Sequence, residues 1–571
     1  MKAKGAWLIL EMLRLHGVRH VFGLPGETTL GFYRQWLNYN EIEHILTHDE
    51  RAAAYMAEAY AKVTGTVGVS EAPAPGAAHP APGVLESNAG GVPTICFTSD
   101  IPYNCDKRNM LTGFDHNAMY KAITKESILI TAARDIPFLM RRAFRVALAD
   151  KPGAVHIRVP MNVYDEEVEV TDLYPDPCLA RWPAYRPVAD FAQIDRAIEL
   201  LAEAERPVVV CGQGALVSGA GEEVLALAEH FGVPVGCTMT GKGTIPETHP
   251  LSIRLVGARG GTGYANRFLE EADFVFFVGS NTDSAGTDAW KLPPHKDGPK
   301  VAYLNISGVD AGNNYRTEAA LVGDAKATLA VMVERAKSRG VTGRAKNRDR
   351  VVPAMAELDA MVARAAESEE APVNPVRFMK ALEAVLPERS YIAVEPGMGS
   401  IFSAAFIVQK DMGRRFLSNY TCGALGYVIP ALVGVGVAHP EAVAVGLGGD
   451  GSFHFNCGEL ETYARLGLNA KLFIFNNDVF GWIKGETAHV YDADFFATDF
   501  GRVDYAAVAR GFGIKGYRIE RADEVRGVLE EAFSFRGPAL IEVRLSDQSR
   551  VVPPVPRWIA SAEAKGLPHY Y

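Results

Sequence analysis

Short apolar segments alternate with helical patterns along almost the whole chain, and that alternation limits the fold more than any other feature. In "RPVVVCGQGALVSGAGEEVLALAEHFGVPVGC" (206–237) an apolar strand is followed by a loop, a helix and a second strand. A strand that is apolar at every position must be covered on both faces, which parallel sheets achieve by packing helices on each side. The chain is therefore expected to be α/β. Its 571 residues are too many for one core and imply three domains, each a mostly parallel sheet covered by helices.

The boundaries follow composition. The Pro-rich "TDLYPDPCLARWPAYRPVAD" (171–190) is an extended linker, and the charged "RAKSRGVTGRAKNRDR" (335–350) and acidic "RAAESEEAPVNP" (364–375) flank the second boundary. The expected domains are 1–180, 190–345 and 360–545, with a tail over 546–571 that lacks any sheet pattern and packs over another surface. Within the first domain, a helix over 6–16, strands at 18–23 and 42–47, a helix from Thr28 and a helix over 49–65 closed by Gly65 are expected. In the middle domain "KVAYLNIS" (300–307) is the last strand pattern, followed by a helix near 325–337. The residues show no internal repeat.

A net charge of −10 argues against nucleic acid as a partner. No apolar run of about 18 residues exists to span a membrane. Seven scattered cysteines form no disulfide framework and no C-x-x-C pair, which points to the cytoplasm.

The stretch "AVAVGLGGDGSFHF" (442–455) poses the main functional question. Gly446, Gly448 and Gly451 satisfy G-x-G-x-x-G, the dinucleotide-binding spacing. An apolar strand precedes the glycines and "GELETYARLGL" reads as a helix after them, so phosphate can meet backbone N–H groups in either reading. Asp450, however, would repel a pyrophosphate by roughly 4 kcal/mol at 4 Å with an effective dielectric near 20. A divalent cation between the two reverses that sign. The next strand, "AKLFIFNND", ends in Asn476-Asn477; Asp478 could instead meet a ribose. Asp450 and Asn477 together suit Mg²⁺, which takes a few protein oxygens and completes its shell with phosphate and water.

Gly449-Asp450-Gly451, then 24 residues (452–475), then Asn476-Asn477 resembles the diphosphate and metal motif of thiamine diphosphate enzymes. "RHVFGLPGETTLGFYRQWL", "THDERAAAYMAEAYAKVTG", "PVGCTMTGKGTIPETHPLS" and "GALGYVIPALVGVGVAHP" resemble the branch of acetolactate synthase, pyruvate oxidase and benzoylformate decarboxylase. The resemblance covers nearly the whole chain, in the order pyrimidine-binding, middle and diphosphate-binding domain. It implies thiamine diphosphate and Mg²⁺ as cofactors, with Asp450, Asn477 and the Val479 carbonyl as metal ligands. Gly397, Gly449, Gly451 and Ser452 would line the diphosphate, and Leu425 would support the bent cofactor, unless it is an ordinary core leucine. Glu50 matches the glutamate that hydrogen-bonds the cofactor's pyrimidine. Judged on local pattern alone, Thr47 to Glu50 also fits a capping box. Because the half-sites lie on different domains, and by resemblance on different chains, a homodimer or homotetramer with active sites at the subunit interface is implied.

The substrate side departs from the acetolactate synthase pattern. Glu27, Asp100 and Glu486 stand at pocket positions where that family carries a small residue, glutamine and tryptophan. Each alone is equally an ordinary loop acid; together they suit proton transfer or a neutral carbonyl substrate over a second oxo acid. His79 and His116 sit in loops at the mouth of the same site and would carry protons near neutral pH. Lys125 and Trp482 are further substrate-side candidates, Lys125 with a surface lysine as its alternative. In the middle domain Gly279-Ser280-Asn281-Thr282-Asp283 lacks the arginine of flavin-binding relatives, so FAD is not favoured. The expected activity is thiamine diphosphate- and Mg-dependent cleavage or formation of C–C bonds next to a carbonyl of a small-molecule substrate. The alternatives are a flavin-dependent 2-oxo acid oxidase, a C–C hydrolase of a dione and an NAD-binding oxidoreductase.

Overall fold

Three six-stranded sheets, every neighbouring pair parallel, carry the chain. The computed structural model describes residues 2–344 and 347–571. The first sheet uses strands from His20–Gly23 to Ala154–Pro160, the middle one from Pro207–Cys211 to Thr317–Val322, and the last from Ser390–Val394 to Ala539–Arg544. A small antiparallel pair, Lys2–Lys4 with Glu167–Glu169, ties the N-terminus to the end of the first unit.

Numbered along the chain, the strands of the first and last sheets share the order 2-1-3-4-6-5, whereas the middle sheet runs 3-2-1-4-5-6. The outer sheets are thus architectural copies although no repeat is visible in the residues. Their equivalent helices, Glu50–Thr64 and Val428–Ala438, follow the second strand of each sheet and pack face to face. Alanines at 52, 53, 54, 57, 59 and 61 keep one helix slim. Gly434 does the same for the other, since a Cβ there would collide with the Met56 carbonyl.

Several expectations need correction. The helix from Thr28 begins as a 3₁₀ turn, Glu27–Thr29, and becomes α-helical over Leu30–Trp36. The middle sheet gains an edge strand, Thr317–Val322, whose apolar run is only the four residues 319–322 and which buries only Ala319 and Leu321. The strand Val443–Gly449 runs directly into a helix at Asp450–Asn456, where a loop was expected. Two of the three glycines of the dinucleotide spacing therefore lie inside a strand. A Cβ on Gly446 would sit 2.6 Å from Val428 and one on Gly448 2.8 Å from Glu395, so both answer packing needs. The tail forms one helix, Pro556–Ala564, with Trp558 fully buried. It reaches the middle unit, where Gly260 N–H donates to the Pro554 carbonyl at 3.4 Å. Among the described residues no helix is long and apolar enough to cross a membrane.

Candidate active site

Asp450 opens the helix that follows the central strand of the last sheet, at the strands' C-terminal edge. Its carboxylate accepts N–H bonds from Gly451 at 2.8 Å, Asn477 at 2.9 Å and Asp478 at 2.6 Å. The group is 2% exposed, and burial lifts its pKa to about 6 despite those donors. A buried acid at the edge of two strand ends is the arrangement a cation completes. Val479 is buried beside it, and Asn477 is half-buried.

The backbone in front is open at two glycines. A Cβ on Gly449 would meet nothing within 4 Å, and Gly397, at φ 142°, is equally open. Gly451 is closed in by Phe480. Ser452 Oγ accepts the Gly426 N–H at 2.9 Å, holding the loop that carries half-buried Leu425.

Two buried acids that sequence reasoning missed fix the same loop. Glu395 accepts N–H bonds from Gly426 at 3.0 Å and Tyr427 at 2.9 Å. Glu86, from the first unit, accepts those of Thr421, Cys422 and Gly423 at 3.0, 2.7 and 3.1 Å. The signal for Glu395 was an acid placed directly after the apolar strand "SYIAV"; nothing local marks Glu86.

In the first sheet, strands His20–Gly23, Gly68–Ala72 and Thr94–Asp100 are neighbours, so the loops bearing Glu27, His79 and the end of Asp100 line one edge. Thr28 Oγ accepts the Ala74 N–H at 2.9 Å and fastens two of these loops together. Glu50 is the first residue of its helix, 6% exposed, packed on Gly76 and 2.8 Å from His79 Nδ1. The capping-box alternative fails, because Asp49 is the cap and accepts the Arg51 N–H at 2.7 Å. Glu50 is left free to face the loop Gly76–His79. His79 is exposed, and so is Glu27.

The other substrate-side residues have partners. Asp100, 1% exposed, accepts from Arg158 Nε at 2.5 Å. His116 opens a helix and is fully buried, with Nδ1 2.9 Å from Thr98 Oγ and Nε2 3.6 Å from Asp100. Burial pushes its pKa down to about 4, so it stands inside the fold as a neutral ring and not at a mouth. Lys125 Nζ donates to the carbonyls of Ala149 and Lys151 at 2.6 and 2.9 Å, closing the end of the helix Ile136–Leu148. Glu486 accepts from Arg557 at 2.5 Å and from Trp558 Nε1 at 2.9 Å, both in the tail. Trp482 lies between the Arg259 guanidinium, 4.3 Å away, and the Trp558 ring at 4.6 Å.

A separate cavity of about 670 Å³ opens at the middle sheet, against Gly212–Gly214, Gly279, Ser280 and Asn281. These are the ends of strands 1 and 4, where the strand order reverses and nucleotides bind in doubly wound sheets. The strand end itself supplies hydroxyl and amide groups but no cation; the nearest basic walls are Arg145, Lys151 and Arg259.

Three family profiles match in order: the thiamine pyrophosphate enzyme N-terminal TPP binding domain at 3–119, the central domain at 194–332, and the C-terminal TPP binding domain at 397–543. The chain is 32% identical over 564 residues to a probable acetolactate synthase large subunit of Methanocaldococcus jannaschii, covering 97% of this chain and 93% of the relative. It is 30% identical over 578 residues to the acetolactate synthase of Arthrospira platensis, covering 99% and 98%. An isozyme 1 large subunit from Escherichia coli is 26% identical over 565 residues, covering 98% and 97%. With both TPP-binding domains and the central one in place, and alignment from end to end, the chain belongs to the thiamine pyrophosphate (thiamine diphosphate) enzyme family and is an acetolactate synthase-like enzyme that depends on that cofactor.

Proposed function

We propose that the protein is a thiamine diphosphate- and Mg²⁺-dependent carboligase or decarboxylase acting on a 2-oxo acid or hydroxyketone. When bound, the cofactor supplies a carbon nucleophile and an electron sink next to the substrate carbonyl. Asp450, Asn477 and the Val479 carbonyl would hold the cation, Gly397 and Gly449 would leave room for the diphosphate, and Gly451 and Ser452 would line it at the start of the Asp450 helix. Glu50 would hold a proton at the pyrimidine ring nitrogen, with His79 hydrogen-bonded to the same carboxyl. Leu425 would bear on the cofactor from a loop that Glu395 and Glu86 keep rigid. The observation that carries this reading is the buried Asp450 carboxylate, gathered by three N–H groups at two strand ends.

The acid-rich pocket argued against a second oxo acid, but two of its three acids are compensated. Asp100 is paired with Arg158 and Glu486 with Arg557, so of the three Glu27 alone lacks a counter-ion among the described residues. This supports oxo acid donors together with an aldehyde or ketone acceptor. Domain boundaries of 1–180, 190–345 and 360–545, with the tail 546–571 over the active site, fit this reading. So does a homodimer or larger assembly: loop residues Leu111, 84% exposed, and Phe496, 91% exposed, are apolar surface that a second copy would cover. Seven free thiols suit the cytoplasm.

The test is turnover by wild type and Glu50→Gln, loaded with thiamine diphosphate and Mg²⁺, on pyruvate, benzoylformate, acetoin and a cyclic 1,2-dione. Carbon dioxide and coupled products are both followed. Turnover that survives in Glu50→Gln would sink the assignment of Glu50. A second reading, a flavin-dependent oxidase, is favoured by the middle-sheet cavity; flavin absorbance in the supernatant of the heat-denatured protein would support it.

A further inference from the structure

A second, smaller cleft of about 320 Å³ lies where the first unit, the linker and the last unit meet. Its walls are Val63–Gly65 at the C-terminal end of the helix that begins with Glu50, Arg181 and Trp182 of the linker, and Tyr391 with Gly413–Arg415 of the last unit. None of these residues takes part in the proposed cofactor site, although Trp182 also lines the middle-sheet cavity.

Helix-end carbonyls around the cleft are already taken. Gly65 O accepts the Trp182 N–H at 2.8 Å, Val63 O lies 3.4 Å from His439 Nε2, and Lys62 O accepts from Arg414. The Thr64 hydroxyl donates to Tyr60 O at 2.7 Å. Donors, by contrast, are left over. Trp182, only 4% exposed, is a wall of the cleft, and its buried indole N–H has no partner among the described residues. Arg414 lies 4.7 Å over the Trp182 ring and bonds only to carbonyls, those of Lys62 and Val217, with no carboxylate partner among the described residues. Arg181 is exposed and pairs with no acid among the described residues. Arg415 shares its charge with Asp411 at 3.2 Å, on the solvent side. A desolvated guanidinium without a counter-ion is unfavourable, and burial with the nearby Arg186 pushes the Arg414 pKa down to about 10.

We propose that this cleft binds a phosphate group, as the free dianion or as a phosphate monoester, held by Arg181, Arg414 and Arg415, with the Trp182 side chain as one wall. A tetrahedral dianion offers acceptors in several directions, matching donors that arrive from two separate segments, and arginine pairs with it bidentately. The cleft is about ten times the roughly 30 Å³ share of one water, which leaves room for the organic part of an ester. A ligand here bridges the linker to the last unit at the far end of the Glu50 helix. The inference does not rest on the cofactor reading.

The test uses the holoenzyme saturated with thiamine diphosphate and Mg²⁺, so that the diphosphate site is filled. Tryptophan emission is followed while inorganic phosphate or glycerol 3-phosphate is added, with ionic strength held constant by sodium chloride. A saturable change is expected in wild type, with the Kd raised at least tenfold in Arg181→Ala and in Arg414→Gln and cofactor affinity unchanged. Tighter binding of glycerol 3-phosphate identifies a monoester as the ligand class; equal binding identifies the phosphate group alone. A response that sodium chloride reproduces, or that Arg181→Ala retains in full, overturns the proposal. Arg181 is exposed and unpaired, so that variant reads the cleft even where Arg414→Gln does not fold.

Discussion

His79 Nδ1 lies 2.8 Å from Glu50 Oε2, linking an exposed imidazole to a carboxyl that is 6% exposed. The pair joins a loop of the first sheet to the first turn of the helix that packs on the last unit, and it connects Glu50 to solvent through one side chain. Glu50→Gln keeps the shape and removes the proton, so turnover should fall by roughly 10²–10⁴-fold with cofactor affinity retained. Pre-steady-state binding of thiamine diphosphate alongside product formation checks both halves.

Asp450→Ala should act on binding instead. Removing the buried carboxylate leaves the Gly451, Asn477 and Asp478 N–H groups facing the proposed metal position, and affinity for Mg²⁺ with thiamine diphosphate should drop at least about a hundredfold. Calorimetric titration of the variant reads this directly; unchanged affinity would remove Asp450 from the metal site.

His116 makes a pH prediction. Its folded pKa, about 4, lies below the ordinary value of 6.5 because burial disfavours the charged ring. Between those two values the unfolded chain binds the extra proton, so stability falls as pH drops from about 6.5 to 4. The loss from this residue approaches ~3 kcal/mol at the acid end. Denaturant unfolding of wild type and His116→Gln across that range should give a shallower slope in the variant.

Trp558 fills the space between Trp482, Gly485 and His489, and is wholly buried. Trp558→Ala should cost about 3–5 kcal/mol and release Glu486 from its indole donor. Arg557→Ala, on an exposed pair with Glu486, should cost under about 1 kcal/mol. A tail that also closes the active site predicts that Arg557→Ala lowers turnover with little loss of stability; parallel small changes in both count against that role.

Glu27, at a proposed pocket position, is exposed and pairs with no cation among the described residues. Glu27→Gln should raise kcat/KM for a 2-oxo acid acceptor by about tenfold relative to a neutral aldehyde, since near a surface one like charge close by is worth a few kcal/mol before screening. Competition between the two acceptors in one reaction measures the ratio.

Much of the molecule was legible because it is local. Apolar runs separated by helices dictate parallel sheets, and the Asp450–Asn477 motif is recognisable because their two strands are consecutive in the chain as well as neighbours in the sheet. Glu50 shows itself by standing where a strand gives way to a helix. What stayed hidden depends on partners far along the chain. Asp100 and Arg158 are 58 residues apart, Glu486 and Trp558 72 apart, and Glu86 reaches Cys422 across 336. A carboxylate reads alike in sequence whether solvent or a guanidinium faces it, so the acidity of the pocket was overstated until Arg158 and Arg557 were seen beside it.

The sequence by itself determined the fold class and the order of the units, and it pointed to the residues proposed to face the cofactor, because periodicity and short motifs act within one strand–helix step. Only the tertiary structure decided which of those residues keep a free charge. Burial and distant counter-ions set the state of a titratable group: they leave His116 neutral inside the fold, tie Glu486 to the tail, and put Gly446 and Gly448 in a strand, away from any phosphate.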